Sequence, residues 1–156
     1  MLRHMCGTTS SATSTATRYN ARVGIAPIAL IIGASLVPLI IGFLWYHPRV
    51  LGHAWMRLMN ITPEMAERGE ARRGMRMLVT LVAGIVTAYV IYRLLGAWET
   101  KGAIGALEIG VLAWLGFMVP TSLGDIIWEQ KPVQLYLIDA GYWLCTLLLM
   151  SLLLSI

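Results

Sequence analysis

The chain has 156 residues, of which 58% are hydrophobic and 13% charged, with a mean hydropathy of +0.71. Soluble domains sit near roughly 45–50% apolar and about 25% charged, so the composition excludes an ordinary water-soluble fold and points to one integral membrane domain. The net charge of +4 does not imply a nucleic-acid partner, because most basic residues lie in a tail and one loop beside apolar runs, where lipid headgroups account for them.

Residues 1–23, "MLRHMCGTTSSATSTATRYNARV", are rich in Ser, Thr and Arg and carry no acid. They are expected to form a disordered tail, with an organellar targeting segment as the alternative reading of the same composition. Cys6 lies in this tail and Cys145 in an apolar run, so the two cysteines make no disulfide framework.

Gly24 to Tyr46 contains no charge and is long enough to cross ~30 Å of hydrocarbon as a helix. Pro38 predicts a kink inside it, and Trp45 and Tyr46 predict an interface anchor at its end. His47-Pro48 should stop the helix, since the residue before proline is driven toward extended geometry. Val50, Leu51, Ala54, Trp55, Leu58 and Met59 then recur at helical spacing, with His53, Arg57 and Asn60 on the other side. This pattern predicts an amphipathic helix in the headgroup plane, with Trp55 toward lipid. Thr62-Pro63 reads as a cap and a first helical residue, and Glu64 and Arg68, four apart, should support the helix that follows. That helix is expected to run on into the second span, with Gly69 and Gly74 as weak points.

The second span is expected over 77–97 and the third over 104–123, where Ser122-Leu123-Gly124 after Pro120 reads as a helix end. The fourth is expected over 135–156. Short connections predict an all-α membrane protein with four transmembrane helices in an up-down bundle, and an interfacial amphipathic helix between the first and second. Lysine and arginine favour the first and third loops over the tail and second loop by seven to five, which leans toward a cytoplasmic first loop. Arg93 and Glu108 stand equally far from the centre of the second connection, so a structural ion pair between them is expected. Gly102, Ala106 and Gly110, spaced by four, are expected to meet another helix, with homo-oligomerisation through that edge as one outcome.

The stretch "TSLGDIIWEQKPVQLYLIDAGYWL" places Asp125, Glu129, Lys131 and Asp139 among aromatics. Up-down topology brings His47, His53, Asp125 and Glu129 to one side, with Asp139 about one turn deeper. These five residues form the candidate polar cluster. Two histidines and three carboxylates suit a metal, yet no HExxH, HxxxH or paired cysteines accompany them. Ser122 lacks the GxSxG elbow of a nucleophile, and no phosphate- or dinucleotide-binding glycine pattern occurs. No cofactor is expected. Two function classes follow: a non-enzymatic accessory subunit or small homo-oligomeric carrier, and a membrane enzyme or metal-binding protein with its site at the Asp125/Glu129 rim.

"WLGFMVPTSLGDIIWEQKP", the following "LYLIDAGYWL" and the upstream "WYHPRVLGHAWMRLM" resemble the family catalogued as domain of unknown function 1761. The resemblance covers roughly Ala26 to Ile156 and implies a small four-helix membrane protein without an assigned activity. It also implies that asparagine is the usual residue where this chain has Asp139.

Overall fold

The computed structural model describes residues 25–98 and 102–156, and every regular element among them is helical. Four helical stretches are long and apolar enough to cross a membrane. The tail over residues 1–23 lies outside the described residues.

Span one consists of α1 (Ile25–Ser35) and α2 (Val37–Trp45). The two are separated at Leu36, whose N–H turns back to the Gly33 carbonyl at 3.2 Å. Pro38 causes the break, because it donates no N–H and its ring crowds the preceding turn. The expected kink is thus placed just ahead of the proline. His47 then adopts an extended backbone (φ −64°, ψ 138°), as a residue before proline should, and its carbonyl accepts the Gly52 N–H at 3.1 Å to close a π-helical turn over Pro48–Gly52. Glycine is required at position 52, since a Cβ would collide with the Tyr46 carbonyl.

The short helix α3 (His53–Leu58) follows directly. It ends where Asn60 takes a left-handed conformation (φ 50°), which lets the Ile61 N–H reach the Met56 carbonyl at 3.0 Å. Thr62 caps α4 (Pro63–Ala71), its hydroxyl accepting the Met65 N–H at 3.3 Å, with Pro63 at the first helical position. Glu64 is held by the Thr62 hydroxyl and by a backbone hydrogen bond, which lower its pKa. The ion pair formed here joins Glu70 to Arg73 at 3.0 Å, not Glu64 to Arg68. It straddles Arg72, whose backbone (φ −106°, ψ 11°) interrupts the run between Gly69 and Gly74. Span two, α5 (Arg73–Ala97), therefore begins as a separate helix.

Span three is longer than its apolar core. It runs through α6 (Gly102–Ala113), a π-helical segment over Trp114–Met118, and α7 (Val119–Glu129). Ser122-Leu123-Gly124 does not end it. Pro120 removes one backbone donor, and the wide π turn accommodates its ring. The Thr121 hydroxyl lies within hydrogen-bond distance of two loosened carbonyls, of Phe117 at 2.6 Å and Met118 at 3.0 Å. Twenty-eight helical residues reach ~42 Å, more than the ~30 Å of hydrocarbon, so the last turns of α7 rise beyond it.

Span four, α8 (Val133–Leu154), is the hub. It packs on α1 and α2, on α5, on α6 and on α7, whereas no substantial contact joins span one to span three. Burial agrees: 39% of its most apolar stretch is buried, against 22% in each other span. Close approach rests on small residues. At Gly84 of α5 an added Cβ would stand 2.6 Å from the Ser35 carbonyl, so span one and span two touch backbone to backbone. Ala88, Ile91, Ala106, Ile109, Leu147 and Met150 fill the centre.

Candidate functional site

The α2 end of span one is fastened to the first half of α8 by side chains that combine a large apolar body with one polar tip. Trp45 donates from Nε1 to the Ile138 carbonyl at 3.0 Å, and its ring lies on Gly141, where a Cβ would sit 3.0 Å from it. Tyr46 donates its hydroxyl to Asp139 Oδ1 at 2.7 Å. Tyr142 donates to the Pro38 carbonyl at 3.0 Å, an acceptor at the span-one break. From the other flank, Trp114 in the π-helical segment donates to the Ala140 carbonyl at 2.8 Å. Each of these α8 carbonyls keeps a lone pair beyond its own helical bond, and a membrane offers no water to take it.

Aromatic edges complete the contact. Tyr46 stands between Trp55 (centroids 5.5 Å, 69°) and Tyr142 (5.4 Å), and Tyr142 meets Trp143 at 5.2 Å. The chain therefore turns Trp45 and Tyr46 onto α8, and Trp55 packs edge-on to Tyr46 at the end of span one. Asp139 is half-buried and sits where Tyr46 can reach it.

The second group is an acid–base clamp at the end of α7. Gln130 ends the helix in a left-handed conformation (φ 52°), which swings Lys131 back over the last turn. Lys131 Nζ lies 2.6 Å from Glu129 Oε2 and 3.7 Å from Asp125 Oδ2. The hydrogen bond to Glu129, with the charge of both carboxylates, raises the lysine pKa. Asp125 and Glu129 share one helical face, as their spacing suggests, and the single lysine bridges both and offsets one of their two charges.

The five residues of the candidate cluster fall into separate environments. Asp125 and Glu129 belong to the Lys131 clamp, and Asp139 bonds Tyr46. His47 accepts the Arg49 N–H through Nδ1 at 3.2 Å and packs edge-on to Phe43, while His53 opens α3 and is exposed. Among the described residues, no three His, Cys, Asp or Glu side chains converge as metal ligands. Sequence reading missed Tyr46, Trp114 and Tyr142 as hydrogen-bond donors. The available signal was aromatic residues with polar tips inside otherwise apolar spans.

The pairing of Arg93 also differs from expectation. Arg93 donates to the Tyr89 hydroxyl one turn back at 3.1 Å and lies 6.0 Å above its ring. Glu108 is exposed, and among the described residues no ion pair joins it to Arg93. Both chains are long enough to reach toward the nearby polar surface. Of the small-residue edge, Ala106 is fully buried and Gly110 faces Ser151 Oγ and the Leu147 carbonyl of α8, at 3.0 and 3.2 Å from its would-be Cβ. Gly102 is exposed, with open space beside it and φ +73°. Ala106 and Gly110 thus meet another helix, as their spacing suggests, and that helix is α8 of the same chain.

Neither the curated proteins nor the solved structures contain a match to the chain. The profile of one family, described as Protein of unknown function (DUF1761), matches residues 29–155, a stretch that takes in most of span one, all of the other three, the Tyr46–Asp139 contact and the Lys131 clamp. The chain belongs to that family.

Proposed function

We propose that the protein is a non-enzymatic accessory subunit of a membrane assembly, or a small carrier built from several copies. One observation carries this reading: the buried polar side chains of the spans are committed to bonds inside the chain. Ser35, Thr87, Thr146 and Ser151 return their hydroxyls to carbonyls of their own helices, and Trp45, Tyr46, Trp114 and Tyr142 tie helices together. Among the described residues, no buried side-chain nitrogen or oxygen lacks a partner.

A catalytic or transport site ordinarily keeps polar groups aimed at a ligand, and intramembrane ionisable residues are where such groups are sought first. Here the intramembrane carboxylate Asp139 holds a tyrosine, and the centre of the bundle is filled by Ala88, Ala106 and Met150. A solute pathway would have to lie between copies. Lys131 opposes the alternative of an enzyme or metal site at the Asp125/Glu129 rim, because it places a cation where a metal would sit.

Mild extraction from native membranes, followed by particle-mass and metal measurement, tests the reading. A particle larger than one 17.2 kDa chain with its detergent, without stoichiometric metal, is the expected result. A monomer carrying one metal ion per chain overturns it.

A further inference from the structure

Where α3 meets the beginning of α8, a surface groove of about 450 Å³ runs between the two helices. Its walls are Ala54, Arg57 and Leu58 on α3, and Gln134, Leu137 and Ile138 on α8. The volume falls in the ~300–1,000 Å³ range of clefts that hold small ligands. Its polarity is ordered along the membrane normal. Gln134 is the second residue of α8, and Leu137 and Ile138 follow about one turn, ~5 Å, further into the span. The mouth therefore carries an arginine and an amide, and the depth is apolar. Leu137 is 61% exposed, so the groove opens sideways to whatever surrounds the span.

Charge at the mouth is one-signed. Among the described residues Arg57 forms no ion pair, and it is the one charged residue among the groove's walls. The first turn of α8 follows Pro132 without a side-chain cap, which adds the positive end of that helix beside Gln134.

We propose that this groove binds one anionic phospholipid, with its headgroup phosphate on Arg57 and an acyl chain along Leu58, Leu137 and Ile138. The occupant follows from the order of the walls: a cation at the headgroup level, then hydrocarbon, in a cleft open to the bilayer side. A soluble anion would use only the mouth, and a zwitterionic lipid would bring a second cation to the mouth beside Arg57. Binding in this way holds α3 along the interface, at the depth its amphipathic pattern calls for.

Native mass spectrometry of the detergent-purified chain, given phosphatidylglycerol or phosphatidylcholine with identical acyl chains, tests the proposal. The wild type should retain phosphatidylglycerol roughly fivefold better, the preference one basic residue confers at an anionic surface. Arg57→Gln should abolish that preference, whereas Arg68→Gln on the neighbouring α4 should keep it. Equal retention of the two lipids by the wild type, or an equal loss in both variants, overturns the site in favour of a diffuse basic surface. A second measurement needs no variant. Phosphatidylglycerol with a photoreactive group on one acyl chain should label residues 54–58 and 134–138 of the unmodified chain, and labelling spread evenly over the four spans overturns the proposal.

Discussion

At the scale of single residues, the chain uses polar atoms as fasteners. Tyr46 and Asp139, 93 positions apart, meet at 2.7 Å, and this one bond ties the end of span one to the central helix. Tyr46→Phe keeps the aromatic contacts with Trp55 and Tyr142 and removes only the donor. Interhelical hydrogen bonds in membranes average ~0.6 kcal/mol and reach ~1.7 kcal/mol, so the variant should lose about 1 kcal/mol in detergent unfolding. An unchanged transition would mean that the stacking alone holds the contact. Steric demand is sharper at Gly84, where the Ser35 carbonyl leaves no room for a Cβ. Gly84→Val should cost about 1–3 kcal/mol by forcing the first two spans apart, more than Gly33→Val, which meets open space. Equal losses at the two positions would count against close packing at Gly84.

At the scale of elements, the helices were legible where the cause is local. Pro38 placed a break in span one, His47-Pro48 ended it, and Thr62-Pro63 opened α4, because proline and cap chemistry act within a turn of themselves. What escaped the sequence was set by distant partners or by compensation. Pro120 did not stop span three, because the π-helical segment and the Thr121 hydroxyl absorb it. The bonds of Trp45 and Tyr46 escaped because nothing in their own segment shows that α8 passes close enough to accept them.

The Lys131 clamp was half legible: Asp125 and Glu129 announced a shared face, but the left-handed turn at Gln130 decides that a lysine covers it. Because the lysine pKa is raised in the folded chain, the clamp's contribution is complete below the ordinary lysine value of ~10.4 and is lost as pH rises through the folded value. Protease cutting between residues 129 and 133 should therefore stay slow at neutral pH and quicken above about pH 10.5. Lys131→Met should be cut quickly at both. A variant as resistant as the wild type at neutral pH would show that the clamp does not hold the turn.

At the scale of the molecule, α8 contacts each of the other spans and carries acceptors that fasten spans one and three: Asp139 Oδ1 and the Ile138 and Ala140 carbonyls. Among the described residues Ala88, Ala106 and Met150 fill the centre of the four spans, and the proposed role in assembly draws on that packing. Ala106 and Gly110 are already covered by α8, so Ala106→Leu should lower the unfolding temperature of the single chain before it changes any oligomer. A change in particle mass at unaltered stability would instead assign that edge to a second copy.

The sharpest division lies at Asp139, which either acts through its hydrogen bond or through its proton. Asn keeps an acceptor for Tyr46 and cannot titrate, whereas Leu removes the acceptor as well. The decisive measurement compares Asp139→Asn and Asp139→Leu with the wild type for unfolding temperature in detergent and for rescue of a deletion strain. A structural carboxylate requires Asp139→Asn to match the wild type in both, with Asp139→Leu unfolding earlier. Asp139→Asn that unfolds at the wild-type temperature and fails to rescue would contradict it, and would make the protein a proton-dependent machine.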